Sequence, residues 1–162
     1  MWDGPSYKER PWFNWDEDAL TPANADRVLA RGKGRPLNEQ LIHLIFSLRA
    51  AERVRLGGEE RLYAAMVEAT RAAMRVFAAE VGATDFVWAA SARADYPNPC
   101  VKVLIERKIG TGPLGRPVLQ MRLPPRLESG WTRRRAAGEE RRWEPGPCGA
   151  AFLKVLDEAG ES

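Results

Sequence analysis

One histidine, His43, and two cysteines, Cys100 and Cys148, are all this 162-residue chain has of the side chains that most often hold transition metals. A catalytic zinc built from His and Cys is close to excluded on that count. Two cysteines make no disulfide framework either. Lysine is scarce as well, five against twenty arginines, and that bias toward arginine suggests a GC-rich bacterial genome. No apolar run approaches the length of a membrane span, and MWDGPSYKERPW has no signal-peptide core. The expectation is a cytoplasmic protein that does not engage a membrane.

What is present fits one folded domain. Hydrophobic content of 44% and charged content of 29% are ordinary for a globular chain, and the length suits a single core. The net charge of +3 is too small to imply an anionic partner by itself. Its distribution is uneven. Residues 1–26 are comparatively acidic, whereas residues 116–142 carry Arg116, Arg122, Arg126, Arg133, Arg134, Arg135, Arg141 and Arg142.

The chain is organised around residues 85–107, DFVWAASARADYPNPCVKVLIER. Phe86, Trp88 and Ala90 alternate with Val87, Ala89 and Ser91, and both sets are largely apolar. Val101, Val103 and Ile105 share one face of a second strand, with Lys102, Leu104 and Glu106 on the other. ARADYPNPC between them is turn chemistry. Two such strands predict a hairpin at the centre of a sheet.

Residues 1–36 read as an aromatic arm with a short helix, in which Thr21 is the N-cap, Pro22 lies in the first turn and Gly32 terminates. Trp2, Tyr7, Trp12, Phe13 and Trp15 either pin the arm to its own domain or form a surface for a protein partner or for stacking bases. Residues 37–162 form the body. QLIHLIFSL at 40–48 reads as a strand, with His43 on one face beside Leu41, Ile45 and Ser47. A lone histidine there serves either as a structural hydrogen-bonding residue or as a ligand. Gly57 and Gly58 break the chain before the clearest helix, 59–81. Leu62, Met66, Ala69, Ala73, Val76 and Phe77 make its apolar stripe, and Gly82 is placed to terminate it.

Beyond the hairpin, residues 117–123 predict a further strand. The arginine-rich segment at about 122–142 reads as irregular, and residues 148–159 as a closing helix. The order strand, helix, strand, strand, strand, helix predicts an α+β fold, an antiparallel sheet with helices on one face, as in ferredoxin-like layers. The glycine-proline loop IGTGPLGRP is no phosphate-binding loop, because neither Gly-Lys-Ser/Thr nor a helix follows.

HLIFSL, a long helix ending in FAAEVG, then DFVWAAS and ADYPNPCVKVLIERK together resemble the relaxase or mobilisation nuclease family. That family has the His-hydrophobic-His endonuclease fold shared with rolling-circle replication initiators. The likeness spans residues 40–108. Asp95, Asn98, Pro99 and Val101 fit the family pattern, and His43 matches its early strand histidine. Arg93, Cys100 and Lys102 stand where the metal-binding histidines would be. A protonated lysine cannot ligate, and a single thiol does not suit a hard metal. The family's nucleophile is a tyrosine, but Tyr7 and Tyr63 lack a motif, and Tyr96 sits in the turn with no base beside it. The resemblance therefore implies a non-catalytic relative with no metal, no cofactor and no catalytic residue.

Electrostatics remain. Arg93, Lys102 and Arg107, joined by Arg122, Arg126 and Arg133 to Arg135, make a candidate nucleic-acid surface with Trp131 as a stacking platform. A solvated face partly neutralised by Glu139 and Glu140 is the plainer account of the same run. Cys100 is either a reactive thiol activated by Arg93 or Lys102, or a small buried hydrophobe. Asp95 is expected to cap the turn. The functional expectation is a relaxase-like nucleic-acid-binding protein of a bacterial mobile element or replication system, with DNA favoured over RNA. The alternatives are a protein-interaction subunit or inhibitor within a nucleoprotein assembly, its partner held by the arm, and a metal-dependent nicking endonuclease with an atypical site.

Overall fold

In the computed structural model, residues 10–21, 23–24, 41–82, 86–106, 108–109, 119–120, 130–131, 143–144 and 146–161 are described. Among the described residues ten elements run in order: β1 (Leu41–Ser47), α1 (Ala51–Arg55), α2 (Glu59–Val81), β2 (Trp88–Arg93), β3 (Cys100–Glu106), β4 (Lys108–Ile109), β5 (Leu119–Gln120), β6 (Gly130–Trp131), β7 (Trp143–Glu144) and α3 (Pro147–Glu161). The fold is α+β, as the element order predicts.

β1, β3 and β2 form an antiparallel sheet in that spatial order, with β3 central. The hairpin expected at residues 85–107 is β2–β3, and its apolar alternation sets the two faces. Val101, Val103 and Ile105 are fully buried on one face. Their register partners Phe46, Leu44 and Ile42 on β1, and Ala92, Ala90 and Trp88 on β2, lie on the same side. This is the helix-covered face.

α2 lies against β2, where Ala90 and Ala92 offer no bulk to hold the helix away. Its buried stripe is wider than the sequence predicts. Besides Leu62, Met66, Ala69, Ala73 and Phe77 it includes Ala65, Val67, Thr70, Met74 and Ala78, while Val76 is only half-buried. The width follows from two neighbours, since α3 packs along α2 through Cys148, Phe152 and Leu156. Thr70 is tolerated at full burial because its hydroxyl donates to the Met66 carbonyl at 2.7 Å. Gly82 ends α2 at φ +73°, where its N–H reaches the Ala78 carbonyl at 2.9 Å. α3 reaches the sheet at β1, where Phe152 stacks on Phe46 with ring centroids 4.5 Å apart. Both helices therefore sit on one face.

The arm's described part belongs to this core. Phe13 is fully buried and bridges antiparallel to Ala90, and Trp12 bridges Leu20. Trp15 packs edge-on against Trp88 and Phe86, at 5.2 and 6.3 Å. Arg10 grips Glu59 and Glu60 at the start of α2, and Arg71 bonds Asp18 and the Asn14 carbonyl. Assigning Phe13 to a partner surface is therefore corrected: its ring is used inside the chain. Trp15 is half-buried against the same core, Trp12 is half-buried against a separate small cluster of Leu20 and Ala89, and Trp2 and Tyr7 lie outside the described residues.

Two further ladders are short. Lys108–Ile109 pairs with Leu119–Gln120, the described part of the strand expected at 117–123. Gly130–Trp131 pairs with Trp143–Glu144, so the segment expected to be irregular carries a β pairing. Thr21 accepts the Asn24 N–H at 3.1 Å, as an N-cap does, and the remainder of that expected helix, Gly32 included, lies outside the described residues.

Candidate nucleic-acid interface

The sheet face away from the helices is a small grid. Across β1, β3 and β2 its rows are Ser47–Cys100–Arg93, Ile45–Lys102–Ser91 and His43–Leu104–Ala89. Residues directly opposite in antiparallel strands have side chains in contact range. His43, Ser47 and Lys102 are exposed, and Ile45 is 65% exposed. Ala89 alone is fully buried, because Leu20 and Trp12 of the arm fold over it. That cover explains an apolar, buried residue on a face where β2 otherwise presents Ser91 and Arg93.

Lys102 occupies the middle of the grid and makes no ion pair among the described residues. Arg93 is differently placed. Its guanidinium lies 4.3 Å from the centre of the Tyr96 ring, and its Nε approaches Asp95 Oδ1 at 3.5 Å. Asp95 therefore turns toward Arg93 rather than capping the turn, and its Oδ2 is buried without a hydrogen-bond partner. Arg93 thus contributes a cation whose geometry the turn already constrains.

The turn itself is held from outside. Arg53 of α1 donates to the carbonyls of Ala94, at 2.8 Å, and of Tyr96. The Leu48 N–H closes on the Pro99 carbonyl at 2.8 Å. This anchoring fixes Tyr96 and Arg93 beside the grid. No sequence signal identifies Arg53, because α1 has five residues and no periodicity to read.

The chemistry open to the grid is limited. Burial pushes the Cys100 thiol above its usual range, and the attraction of Arg93 does not offset that. Cys100 is therefore a protonated thiol at neutral pH and not an activated nucleophile. His43 lies opposite Leu104, four residues along β3 from Cys100. At ~3.4 Å per residue that separation is roughly 14 Å, too far for a Cys–His pair. Among the described residues no group of three His, Cys, Asp or Glu side chains could hold a metal ion. Nor, among the described residues, is any helix long and apolar enough to cross a membrane.

Of the residues assigned to nucleic acid from sequence, Arg93 and Lys102 are brought onto one face. Arg107, Arg122, Arg126 and Arg133 to Arg135 lie outside the described residues, and of Trp131 only the backbone pairing is described. Sequence reasoning places His43, Ile45 and Ser47 together but does not identify their face as the open one. Ser91 enters only through register, which strand composition does not encode. Away from this face, a concavity of about 790 Å³ lies where α1 and α2 meet the end of α3. Arg55, Arg61, Glu68 and Glu158 line it with charges of both signs, which select no ligand of one charge. No protein-family model, no curated protein and no solved structure matches the chain.

Proposed function

We propose that the chain is a non-catalytic nucleic-acid-binding protein, related to relaxases and serving a bacterial mobile element or replication system, which takes a DNA strand across the open face of its sheet. The observation that carries this reading is the exposed Lys102 at the centre of that face. Ile45 and Ser91 flank it, and Arg93 stands one row away. A cation that makes no ion pair among the described residues, on an open antiparallel sheet face, suits a backbone phosphate. Exposed apolar surface at Ile45 and the Tyr96–Arg93 stack beside the grid suit sugars and bases.

Arg93, Cys100 and Lys102, the positions where the resembled nucleases carry metal-binding histidines, share this face. A binding surface on the old catalytic face is the arrangement expected of a relative that kept its ligand and lost the reaction. Two cations and a protonated thiol attract phosphate without polarising it through a metal.

The test is a binding titration of labelled single-stranded DNA, duplex DNA and RNA across a salt series. Binding to DNA should weaken steeply with salt, and Lys102→Ala should lower the slope of log K against log salt by about 1. Binding to none of the three, or binding indifferent to salt, would remove the proposal.

A further inference from the structure

The arm sends two neighbouring aromatics to opposite sides of the sheet. Phe13 and Ala90 exchange backbone hydrogen bonds, so the arm lies beside β2 as one more rung. Successive side chains along an extended backbone point to opposite faces. Phe13 goes to the helix-covered face, where it is fully buried against Trp88. Trp12 therefore goes to the open face. Its contacts agree, since it packs on Leu20 and Ala89 and stays half-buried. Covering those two side chains asks for far less surface than an indole has.

Register fixes where on that face Trp12 stands. Antiparallel pairing of Phe13 with Ala90 sets Trp12 opposite Ser91. Ser91 already stands opposite Lys102, and Lys102 opposite Ile45. The central row of the grid thus runs Ile45, Lys102, Ser91, Trp12, and Leu20 backs the indole through its own bridge to Trp12. Lys102 and Trp12 are two strand spacings apart, roughly 10 Å. Ser91 between them is the shortest side chain of the row, so the cation and the indole stand above it.

The acids of the arm do not crowd this row. Asn14 falls opposite Ala89, and Asp16, Glu17 and Asp18 follow in the turn beyond it, toward the Trp88 end of β2. Arg93 lies at the other end. A phosphate backbone that meets Lys102 is therefore drawn toward Arg93 and away from the acids.

We propose that Trp12 is a base-stacking platform of the open face, with an unpaired base on its indole and the adjoining backbone phosphate on Lys102. This rests on the nucleic-acid reading above and adds that the ligand is a single strand. Paired bases in a duplex keep their faces stacked on one another and offer none to an indole.

The test measures anisotropy of the full chain with a labelled single-stranded DNA, its duplex, and the same strand with abasic sites in place of its bases. The abasic strand keeps every phosphate and offers nothing to stack. Wild type should bind the base-bearing strand about tenfold or more tightly than either of the others. Trp12→Leu should remove most of that advantage and leave abasic binding unchanged, whereas Trp12→Phe should keep most of it. Should Trp12→Leu loosen the arm, the wild-type comparison and Trp12→Phe carry the test. Equal binding of base-bearing and abasic strands by wild type overturns the stacking and leaves the phosphate reading standing. A Trp12→Leu loss shared equally by both strands, or an advantage that Trp12→Leu keeps intact, does the same. Binding of none of the three overturns both.

Discussion

Phe13 and Ala90 exchange both of their backbone hydrogen bonds, at 2.9 and 2.8 Å, although 77 positions separate them in the chain. This reciprocal pair makes the aromatic arm part of the sheet. It also places the Phe13 ring, fully buried, 6.1 Å from the Trp88 ring in an edge-to-face contact. Phe13→Ala should therefore destabilise the fold by about 3–5 kcal/mol, as large-to-small changes in a core do. Urea denaturation measures this. A loss of a few tenths would mean that the arm merely rests on the domain.

Arg53 is the second anchor. Replacing it with Ala removes the donors it gives to the carbonyls of Ala94 and Tyr96. A cost of about 1–3 kcal/mol is expected. Amide hydrogen exchange should show faster opening across residues 94–99 while the centre of α2 keeps its protection. Equal acceleration everywhere would mean that Arg53 supports the whole core and not the turn.

The two thiols give a prediction in pH. Burial, followed by the nearby Glu80, pushes Cys148 from 9.0 up to about 11. An acid whose folded value is raised keeps its proton in the folded state while the unfolded chain has already lost it. Stability from this group is thus full below pH 9 and lost as pH rises through about 11. The loss amounts to about 2–3 kcal/mol at 1.36 kcal/mol per unit. Stability of the wild type, measured by denaturant between those pH values, should fall more steeply than that of Cys148→Ala. Parallel curves would contradict the assignment.

Cys100 should alkylate slowly at neutral pH. Burial raises it most, while Arg93 opposes and Asp95 assists. Removing the opposing charge with Arg93→Gln should raise it further and slow alkylation at mildly alkaline pH. Faster alkylation in that variant would show Arg93 shielding the thiol sterically instead.

Much of the fold was legible because its signals are local. The 23 residues of α2 carry an unbroken apolar period with glycine at both ends, and they appear within the expected bounds. Val101, Val103 and Ile105 declare their buried face by alternation alone. Phe13 was not legible as a core residue, since a single bridge has no period and its partner Ala90 is far along the chain. The open face was half legible. Sharing of a face by His43, Ile45 and Ser47 follows from period two, but which face the helices cover depends on register and packing. Arg93 shows the remaining difficulty: composition marks it as a free cation, whereas Asp95 and Tyr96 already engage it.

On the proposed reading, nucleic acid is bound by the open sheet face and not by net positive charge. Lys102→Glu and Arg75→Glu change the charge equally, one on that face and one on the exposed side of α2. Their affinities for single-stranded DNA should be compared by anisotropy at one salt concentration. Lys102→Glu should weaken binding by about tenfold or more, a change of ~1.4 kcal/mol, whereas Arg75→Glu should leave it near wild type. Equal loss in both variants, or no loss at Lys102, would contradict it.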